Sequence, residues 1–451
     1  MKKEMIGMRN KRQSLSANFG VLQRYLLPIA TTVVIIVSLI FTWLIWTNPA
    51  HFNRKNTTSS APNTEMTARS LTDIYAPTQV IYSDDMQNQE LLYDPKVNMV
   101  NELEKTVRQW RLVDLKPLAG VTAKSYAKLL GQKNAIILNF PDSVSGQVFN
   151  ETFYQNLKMK QDVEFNRVLI PLKNPKQMYL MNDNDFSIFK TSVVDANIKN
   201  VMKTVNTAAV RIPVAERLYK DRTLLTYPEG VTLDQYSYLL NKQDQSFFVT
   251  SLLNNGGVSS VKTKRTEKQT VYEDGNFRRM TVDNKNGAVL YQNFVGRRET
   301  HSFDKRLRQG FDDLVTIGVP LDNIRYFESN EDGVNLTYRT YVEGFPIFNQ
   351  TRYGTVQLDR DIQGNEQTAF SLYSLQVPLP NNKKPIRLIS SDEVFQQLKS
   401  TGIKPSDIED MQVGYEWVAN PNSDMVIDLK PVWYVEMNGK WKLLSEIAKN
   451  N

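Results

Sequence analysis

The sequence of 451 residues contains no cysteine and only two histidines, His51 and His301. Without cysteine there are no disulfide bonds, thiolate metal sites or cysteine nucleophiles, as suits a bacterial exported protein that folds without cross-links. Each histidine stands alone in a polar segment, and no metal-ligand spacing, phosphate-binding loop or hydrolase motif is present. We therefore expect a non-enzymatic protein with no cofactor and no metal ion.

Carboxylates remain as the one abundant catalytic residue type, with 48 Asp and Glu in the chain. A glycoside hydrolase needs two of them, which only the fold brings together, so an exported carboxylate-dependent hydrolase is kept as an alternative. Its cleft would lie between residues 71 and 210. A segment with Asp359, Asp361 and Gly364 loosely resembles a calcium loop. Its spacing is wrong for an EF-hand, and we interpret it as a surface turn.

An excess of one charge is also lacking once the N-terminus is set aside. The whole chain has a net charge of +7, from 55 basic and 48 acidic residues. Residues 1–25 hold six of the basic and one of the acidic residues, so the remainder has a net charge of +2. The basicity is therefore mostly local, which argues against nucleic-acid binding.

A long apolar run is present between Leu26 and Trp46, 21 residues without a charge. A helix of that length spans about 30 Å, the thickness of the hydrocarbon core of a bilayer. Secretory signals have a shorter apolar core of about 7–15 residues and a small-residue cleavage site. Because this run ends with Trp43, Trp46 and Asn48-Pro49 instead, the sequence predicts a retained transmembrane anchor.

The charges on either side of the span predict its orientation. Six basic residues precede the span, whereas only Arg54 and Lys55 follow it before Glu65. By the positive-inside rule the N-terminus lies in the cytoplasm. The sequence therefore predicts a single-pass protein of the cell membrane, with the bulk of the chain extracytoplasmic.

Small hydroxyl residues share one face of the predicted span. Thr31, Ser38 and Thr42 are spaced by seven and four residues, which places them along one side of a helix. In lipid, helices associate through close packing at small residues and through interhelical hydrogen bonds. These residues therefore predict a packing face for a partner helix, although their hydroxyls can equally bond to their own helix.

Beyond the span, apolar periodicity indicates an α+β exterior. "TQVIY", "AIILNF" and "FNRVLIPL" have strand patterns, whereas "NMVNELEKTVRQW" and "KSYAKLLG" have helical spacing. The predicted segments are a cytoplasmic N-terminus (1–25), the transmembrane anchor (26–46), a flexible stalk (47–66), an extracytoplasmic mixed α/β domain (67–210), a middle β-meander domain (211–302) and a C-terminal domain of two repeated α+β modules (303–451).

The middle segment contains one helical pattern and two hairpin signals. "DQYSYLLNKQ" is read as a helix, and Asp274-Gly275 and Asn286-Gly287 are read as the turns of an antiparallel meander. From Val261 to Gly310 there are 12 Lys and Arg against 6 Asp and Glu. The predicted basic contact surface consists of Lys262, Lys264, Arg265, Arg278, Arg279, Arg297 and Arg298. It is either a solvated face of the meander or a contact for anionic wall polymer, lipid head groups or an acidic partner.

After Ser302 the chain repeats itself. "FDDLVTIGVPLDNI" (311–324) aligns without gaps with "FQQLKSTGIKPSDI" (395–408). The identical positions are those that a helix, its glycine end and the next buried element require, namely Phe311/Phe395, Leu314/Leu398, Gly318/Gly402 and Ile324/Ile408. "TYVEG" (340–344) then matches "WYVEMNG" (433–439). The repeat predicts two tandem modules of a helix and antiparallel strands.

The anchor ending "TWLIWTNPA", the meander and the paired modules closing on "GYEW…LKPVWYVEMNGKW" resemble the YycH (WalH) family over essentially the full chain. The resemblance implies an exported, membrane-anchored regulator of the essential WalK/WalR (YycG/YycF) two-component system of low-GC Gram-positive bacteria. It would act on the sensor histidine kinase WalK (YycG) together with a YycI-like membrane protein, in signal transduction that controls cell-wall metabolism. The C-terminal modules also resemble the PepSY fold.

Several alternatives stay open at this point. The exterior can be a cell-wall ligand-binding module or, by fold analogy alone, an inhibitor of an exported peptidase. The sequence leaves open whether the kinase is activated or restrained, which surface of the exterior forms pairs, and whether the chain forms a homo- or heterodimer.

Overall fold

The structure, a computed structural model, describes residues 32, 34, 35, 38, 70–159, 163–219, 222–253, 261–275, 277–294, 302–320, 323–330, 334–348, 353–361 and 363–448. The chain divides into two compact units, Met1–Thr58 and Ser59–Asn451. The described helices and strands of the second unit form an α+β fold that is rich in sheet. The predicted fold class is therefore confirmed in its coarse form.

The first sheet is antiparallel throughout its described strands. They are β1 (Gln79–Ser83), β2 (Gln89–Tyr93), β3 (Arg111–Pro117), β4 (Ala135–Ser145), β5 (Glu164–Pro171), β6 (Gln177–Met181), β7 (Ile188–Val194), β8 (Val210–Tyr219) and β9 (Arg222–Thr226). Their order across the sheet is β3-β7-β6-β5-β4-β1-β2-β8-β9. The three predicted strand segments form β1, β4 and β5.

Helices accompany this sheet, and the second and third of them lie at the predicted places. They are α1 (Leu71–Ile74), α2 (Met99–Val107), α3 (Ala123–Leu130), α4 (Gly146–Thr152) and α5 (Ile198–Thr207). Helix α2 begins at Asn98, whose side chain accepts a hydrogen bond from the Asn101 amide at 3.1 Å. It buries Val100, Leu103 and Val107, the residues whose spacing predicted it.

The remaining strands follow from residue 231 onwards. They are β10 (Val231–Leu233), β11 (Tyr236–Lys242), β12 (Val261–Arg265), β13 (Gln269–Asp274), β14 (Arg278–Asp283), β15 (Ala288–Asn293), β16 (Ile324–Asn330), β17 (Asn335–Val342), β18 (Phe345–Phe348), β19 (Thr355–Arg360), β20 (Glu366–Ser371), β21 (Tyr373–Leu379), β22 (Ile386–Leu388), β23 (Asp410–Ala419), β24 (Val426–Met437) and β25 (Lys440–Leu443). The helices among them are α6 (Gln245–Leu253), α7 (Phe303–Ile317), α8 (Ser391–Ser400), α9 (Leu444–Ile447) and a 3₁₀ turn (Pro405–Asp407).

Most of these strands join one large sheet. Its path is β12-β13-β14-β15-β20-β19-β17-β18-β23-β24-β11-β21, with β16 added on β17 and β25 on β24, while β10 and β22 form a separate pair. The meander β12–β15 therefore continues into the C-terminal strands through β15 and β20. Strands β8 and β9 belong to the first sheet, so the sheets do not divide at residues 210 and 302, and the division into domains stays a prediction.

One predicted helix is wrong. The segment "DQYSYLLNKQ" contains β11, which pairs with β24 and β21 on its two sides. Ser237 and Leu240 are buried, while Tyr236 and Tyr238 are half-buried. Aromatic residues fit a pleated surface between two strands. The apolar residues of this segment fit both a helical and a strand period, and pairing with β21 and β24 determines that it forms a strand.

The repeated segments adopt matching local structures. Gly318 follows α7 with φ of 79° and Gly402 follows α8 with φ of 82°, as the repeat predicts for helix ends. Each segment then leads into a buried isoleucine, Ile324 or Ile408, at the start of a hairpin. The assignment of both segments to PepSY-like modules stays a prediction.

Both faces of the first sheet are buried. In β4, Ile136 and Leu138 belong to a core shared with α2, α7 and the inner face of the meander. Ile137 belongs to a second core, shared with α8 and the strands β23 and β24. Because successive residues of a strand point to opposite faces, the apolar run "AIILNF" supplies both cores.

Candidate functional site

The predicted packing face of the membrane span lies almost entirely outside the described residues. Of its three members, Ser38 is described, and it is helical and exposed. Thr31 and Thr42 lie outside the described part, as do His51 and His301. Among the described residues no helix is both long enough and apolar enough to cross a membrane. The packing face stays a prediction.

The predicted basic surface lies on two strands of the meander. Lys262, Lys264 and Arg265 are on β12, and Arg278 and Arg279 are on β14, whereas the other two members, Arg297 and Arg298, lie outside the described residues. Strand register separates the five described residues. Their use as a contact stays a prediction.

The separation follows from the pairing of β12 with β13 and of β13 with β14. Lys262 lies opposite Glu273, which lies opposite Arg279, so these side chains share one face. We call it the outer face, because the other face carries the buried Met280 and Val282. Lys264 belongs to the outer face, whereas Arg265 and Arg278 belong to the inner one. The basic residues therefore do not form one continuous patch.

Two of the arginines are already paired. Arg279 contacts Glu273 at 2.7 Å, and Arg278 lies 3.9 Å from Asp274. Strand β12 is at the edge of the large sheet, and its lysines and arginine are exposed. Charged residues on an edge strand discourage pairing with other chains. This structural role accounts for Lys262 and Lys264 without any ligand.

The segment that resembles a calcium loop forms a turn between β19 and β20. The Asp361 carboxylate accepts hydrogen bonds from the backbone amides of Gln363 and Asn365 at 2.8 and 2.9 Å and from Asn365 Nδ2 at 2.7 Å. Gly364 has φ of 86°. In the described part of the chain no group of three or more His, Asp or Glu residues is placed to hold a metal ion.

A buried ion cluster in the first sheet was missed from the sequence. Arg167 on β5 contacts Asp183 and Glu216, each at 2.7 Å, and Tyr126 donates to Asp183 at 2.5 Å. Burial acts to lower the pKa of Arg167, but the two carboxylates raise it above its ordinary value. The one feature of the sequence that could have indicated this cluster is Arg167 itself, a charged residue inside the apolar run "FNRVLIPL". Arg167 is paired with both carboxylates, although Glu216 Oε2 is buried without a hydrogen-bond partner.

A second cationic site lies inside the large sheet. The Arg339 guanidinium lies between Phe327 and Phe348, with Cζ 4.4 and 4.2 Å from the two ring centroids. Burial lowers the pKa of Arg339, an effect that the Glu328 carboxylate opposes. Glu328 in turn accepts a hydrogen bond from Trp441 at 2.9 Å. This stack joins β16, β17, β18 and β25.

A half-buried carboxylate faces tyrosines at the junction of the two large sheets. Glu343 occupies the turn between β17 and β18, next to Tyr93 at the end of β2 and Tyr236 on β11. Burial raises the pKa of Glu343 to about 7, although the two hydroxyls act in the opposite direction. Asp94 and Asp234 also raise it. Glu343 is therefore poised to change its protonation state near neutral pH.

The residue that follows α1 is hydrogen-bonded to the C-terminal half of the chain. Tyr75, directly after α1, donates to the Leu307 carbonyl at 2.6 Å and bonds to the Tyr338 hydroxyl at 2.7 Å. Its ring also lies 5.2 Å from the Tyr326 ring. The segment that follows the predicted stalk is thus held by α7, β16 and β17.

Two family models cover most of the chain. The model described as "YycH protein, N-terminal domain" matches residues 28–209, and "YycH protein, C-terminal domain" matches residues 222–451. A similar protein from Bacillus subtilis (strain 168), described as "Two-component system WalR/WalK regulatory protein YycH", is 22% identical over 439 residues, covering 91% of this chain and 94% of that protein.

The fold is also similar to a solved structure. The crystal structure of YycH from Bacillus subtilis superposes with a TM-score of 0.69 at 18% identity, covering 84% of this chain and 98% of that chain. This likeness supports the described fold. The family predicted from the order of sequence elements is confirmed by the two models, and the chain belongs to the YycH family.

Proposed function

We propose that this chain is a membrane-anchored, non-enzymatic regulator that modulates the sensor kinase WalK together with a YycI-like partner. The observation that carries the proposal is family membership, since a relative is described as a regulatory protein of the WalR/WalK system. The uncharged run from Leu26 to Trp46 supports a single span with a cytoplasmic N-terminus and an extracytoplasmic exterior.

The proposed contact with the kinase is made through the span. Thr31, Ser38 and Thr42 supply small, hydrogen-bonding positions on one helix face, and Val33, Val37, Ile40 and Leu44 supply the bulky opposite face. A bound helix changes the output of a kinase only by binding one of its states better than the other. A difference of about 1–3 kcal/mol is sufficient.

The described exterior supports this role. The hydrogen bonds of Tyr75 connect the segment after α1 to α7 and to β17 of the large sheet. Arg167 is paired with two carboxylates inside the fold, and the Arg339 guanidinium is stacked between two phenylalanine rings. These arrangements suit a rigid accessory subunit.

The test is co-purification from membranes. Ser38→Leu with Thr42→Leu is expected to reduce recovery of WalK at least about fivefold, which corresponds to about 1 kcal/mol of lost association. Val33→Leu with Val37→Leu, on the opposite face, is the matched control and is expected to leave recovery unchanged. Unchanged recovery and kinase output in the Ser38/Thr42 variant contradict the proposed contact.

A comparison of the full chain with residues 47–451 separates two kinds of association. A partner held through the bilayer is lost with residues 1–46, whereas a partner held by the exterior is retained. The second candidate function is an extracytoplasmic module that binds wall polymer through the exposed lysines of β12. It predicts binding by residues 47–451 alone that weakens as salt rises.

A further inference from the structure

The outer face of the meander carries two exposed phenylalanines. Phe277, just before β14, is 58% exposed, and Phe294, just after β15, is 49% exposed. The Phe294 amide donates to the Phe277 carbonyl at 2.8 Å, which continues the ladder of β14 and β15. By alternation Phe277 shares the face of Arg279, and Phe294 shares the face of Gln292. The two side chains therefore project from the same face of the sheet.

The apolar residues of the opposite face are used differently. Met280, Val282 and Val289 on the inner face are buried in the main core. Phe277 and Phe294 lie beyond the covered part of the sheet and outside that core. Neighbouring exposed aromatic side chains of this kind mark a contact surface.

Cationic side chains accompany the two rings on the same face. Lys262 and Lys264 on the edge strand and Arg279 on β14 are exposed. The described carboxylates of this face on β12–β14 are engaged, Glu273 by Arg279 at 2.7 Å and Asp283 by turn amides at 2.8 and 3.0 Å. The lysines therefore give the face a positive character next to its apolar end.

We propose that this outer face rests on a lipid bilayer that contains anionic lipids. Phe277 and Phe294 would enter the boundary between head groups and acyl chains, and Lys262 and Lys264 would face lipid phosphates. Charge complementarity and two exposed apolar side chains on one face favour a bilayer over a protein with a matching groove. The inference rests on the proposed anchor, which keeps this weak contact within reach of the membrane.

The absence of cysteine allows a direct measurement on the full chain. Gln292→Cys, beside Phe294, is labelled with a fluorophore, and the chain is reconstituted into liposomes that contain a nitroxide-labelled lipid as quencher. We expect quenching in phosphatidylcholine with 30% phosphatidylglycerol, and at least about twofold less in pure phosphatidylcholine or at 0.5 M salt. A label at Lys105→Cys on α2, whose side chain is 64% exposed, reports the background.

Two variants test the two components of the surface. Phe277→Ser with Phe294→Ser, and separately Lys262→Glu with Lys264→Glu, are each expected to reduce quenching at least about twofold. Lys199→Glu with Lys203→Glu, an equal change of charge on α5, is expected to leave it unchanged. Quenching as strong as that of the wild type in both test variants overturns the proposed membrane contact. Quenching that is equal with and without phosphatidylglycerol also overturns it.

Other occupants give distinct results. A label that is shielded only after purified WalK is added, or only after poly(glycerol phosphate) is added, assigns the face to a protein or to a polymer and overturns the proposal. Flotation of the full chain with liposomes after carbonate washing tests the anchor separately. A chain that floats and recovers WalK but shows no quenching disproves only this inference.

Discussion

Glu343 lies in the turn between β17 and β18, and the corresponding position of the turn between β24 and β25 is an asparagine, Asn438. Glu343 and Gly344 connect β17 to β18 with φ of 55° and 80°, and Asn438 and Gly439 connect β24 to β25 with φ of 53° and 64°. Asparagine and glycine adopt this conformation readily, whereas glutamate does so rarely. The carboxylate beside Tyr93 and Tyr236 is therefore maintained against a local backbone preference.

The raised pKa of Glu343 predicts a dependence of stability on pH. The folded state keeps the proton to about pH 7, while the unfolded state releases it near pH 4.5. The stability present below the lower value is therefore lost as pH rises towards 7. In urea unfolding, Glu343→Gln should reduce the loss between pH 5 and pH 8 by about 1 kcal/mol, a value discounted for the solvent screening of a half-buried group.

The control for this measurement is Glu229→Gln, which changes an exposed carboxylate. It should leave the pH profile as it is in the wild type. A Glu343→Gln profile parallel to that of the wild type would show that Glu343 does not titrate in this range.

Gly310 allows α7 to approach β17 closely. A Cβ atom at this position would lie 2.3 Å from the Tyr338 hydroxyl oxygen and 2.5 Å from Leu336 Cδ1. Alanine favours a helix over glycine by about 1 kcal/mol, but the clash outweighs this gain. Gly310→Ala is expected to lower the free energy of unfolding by about 1–3 kcal/mol in urea titration. Val315→Ala, at a position of the same helix that is 45% exposed, should change it by less than about 0.5 kcal/mol.

At the scale of elements, β12 combines an exposed edge with positive charge. Replacing Lys262 and Lys264 by valine would leave a short apolar edge strand that can pair with another copy. Light scattering should then detect a larger average mass than for the wild type at the same protein concentration. Lys199→Val with Lys203→Val, the same substitutions on α5, should not increase the scattering, because a helix has no open ladder. Equal behaviour of both variants would contradict edge protection.

Local signals in the sequence predict helix ends and turns well where the backbone needs a conformation that few residue types other than glycine adopt. Gly318 and Gly402 end helices, and Gly275 and Gly287 lie in the hairpin turns, because each adopts a positive φ. The segment of β11 shows the limit. Tyr236, Leu239 and Leu240, at positions i, i+3 and i+4, also fit a helical face, and only the pairing with β24 and β21, nearly 190 and 140 residues away, selects a strand.

The contacts of the buried arginine Arg339 could not be predicted from the sequence either, because they also depend on how the strands pair. Arg339 and its two phenylalanines are close in the chain, but the stack forms only after β16, β17 and β18 are placed side by side. The sequence does not show how neighbouring strands align, so it did not show that Arg265 and Arg278 lie on the inner face while Lys262, Lys264 and Arg279 lie on the outer one.

At the scale of the whole molecule, Tyr75 links the first described residues of the second unit to its C-terminal half. Tyr75→Phe removes a hydroxyl that bonds to the Leu307 carbonyl and the Tyr338 hydroxyl, and it leaves both partners buried. We expect a loss of about 1–3 kcal/mol in the free energy of unfolding. Hydrogen exchange should accelerate in α1 and in the first turn of α7. Tyr154→Phe, at a residue that is 69% exposed, is the control and should have little effect.

The position of β11 also determines when the fold can be completed. Ser237 on β11 donates to Asp428 on β24 at 2.8 Å across a separation of 191 residues. During synthesis from the N-terminus, this strand must wait for almost the whole remaining chain before its neighbour exists. Pairing between such distant strands is expected to slow folding and to leave strand β11 open to aggregation until β24 is made. A chaperone that shields residues 236–242 is therefore expected to raise the yield of folded protein.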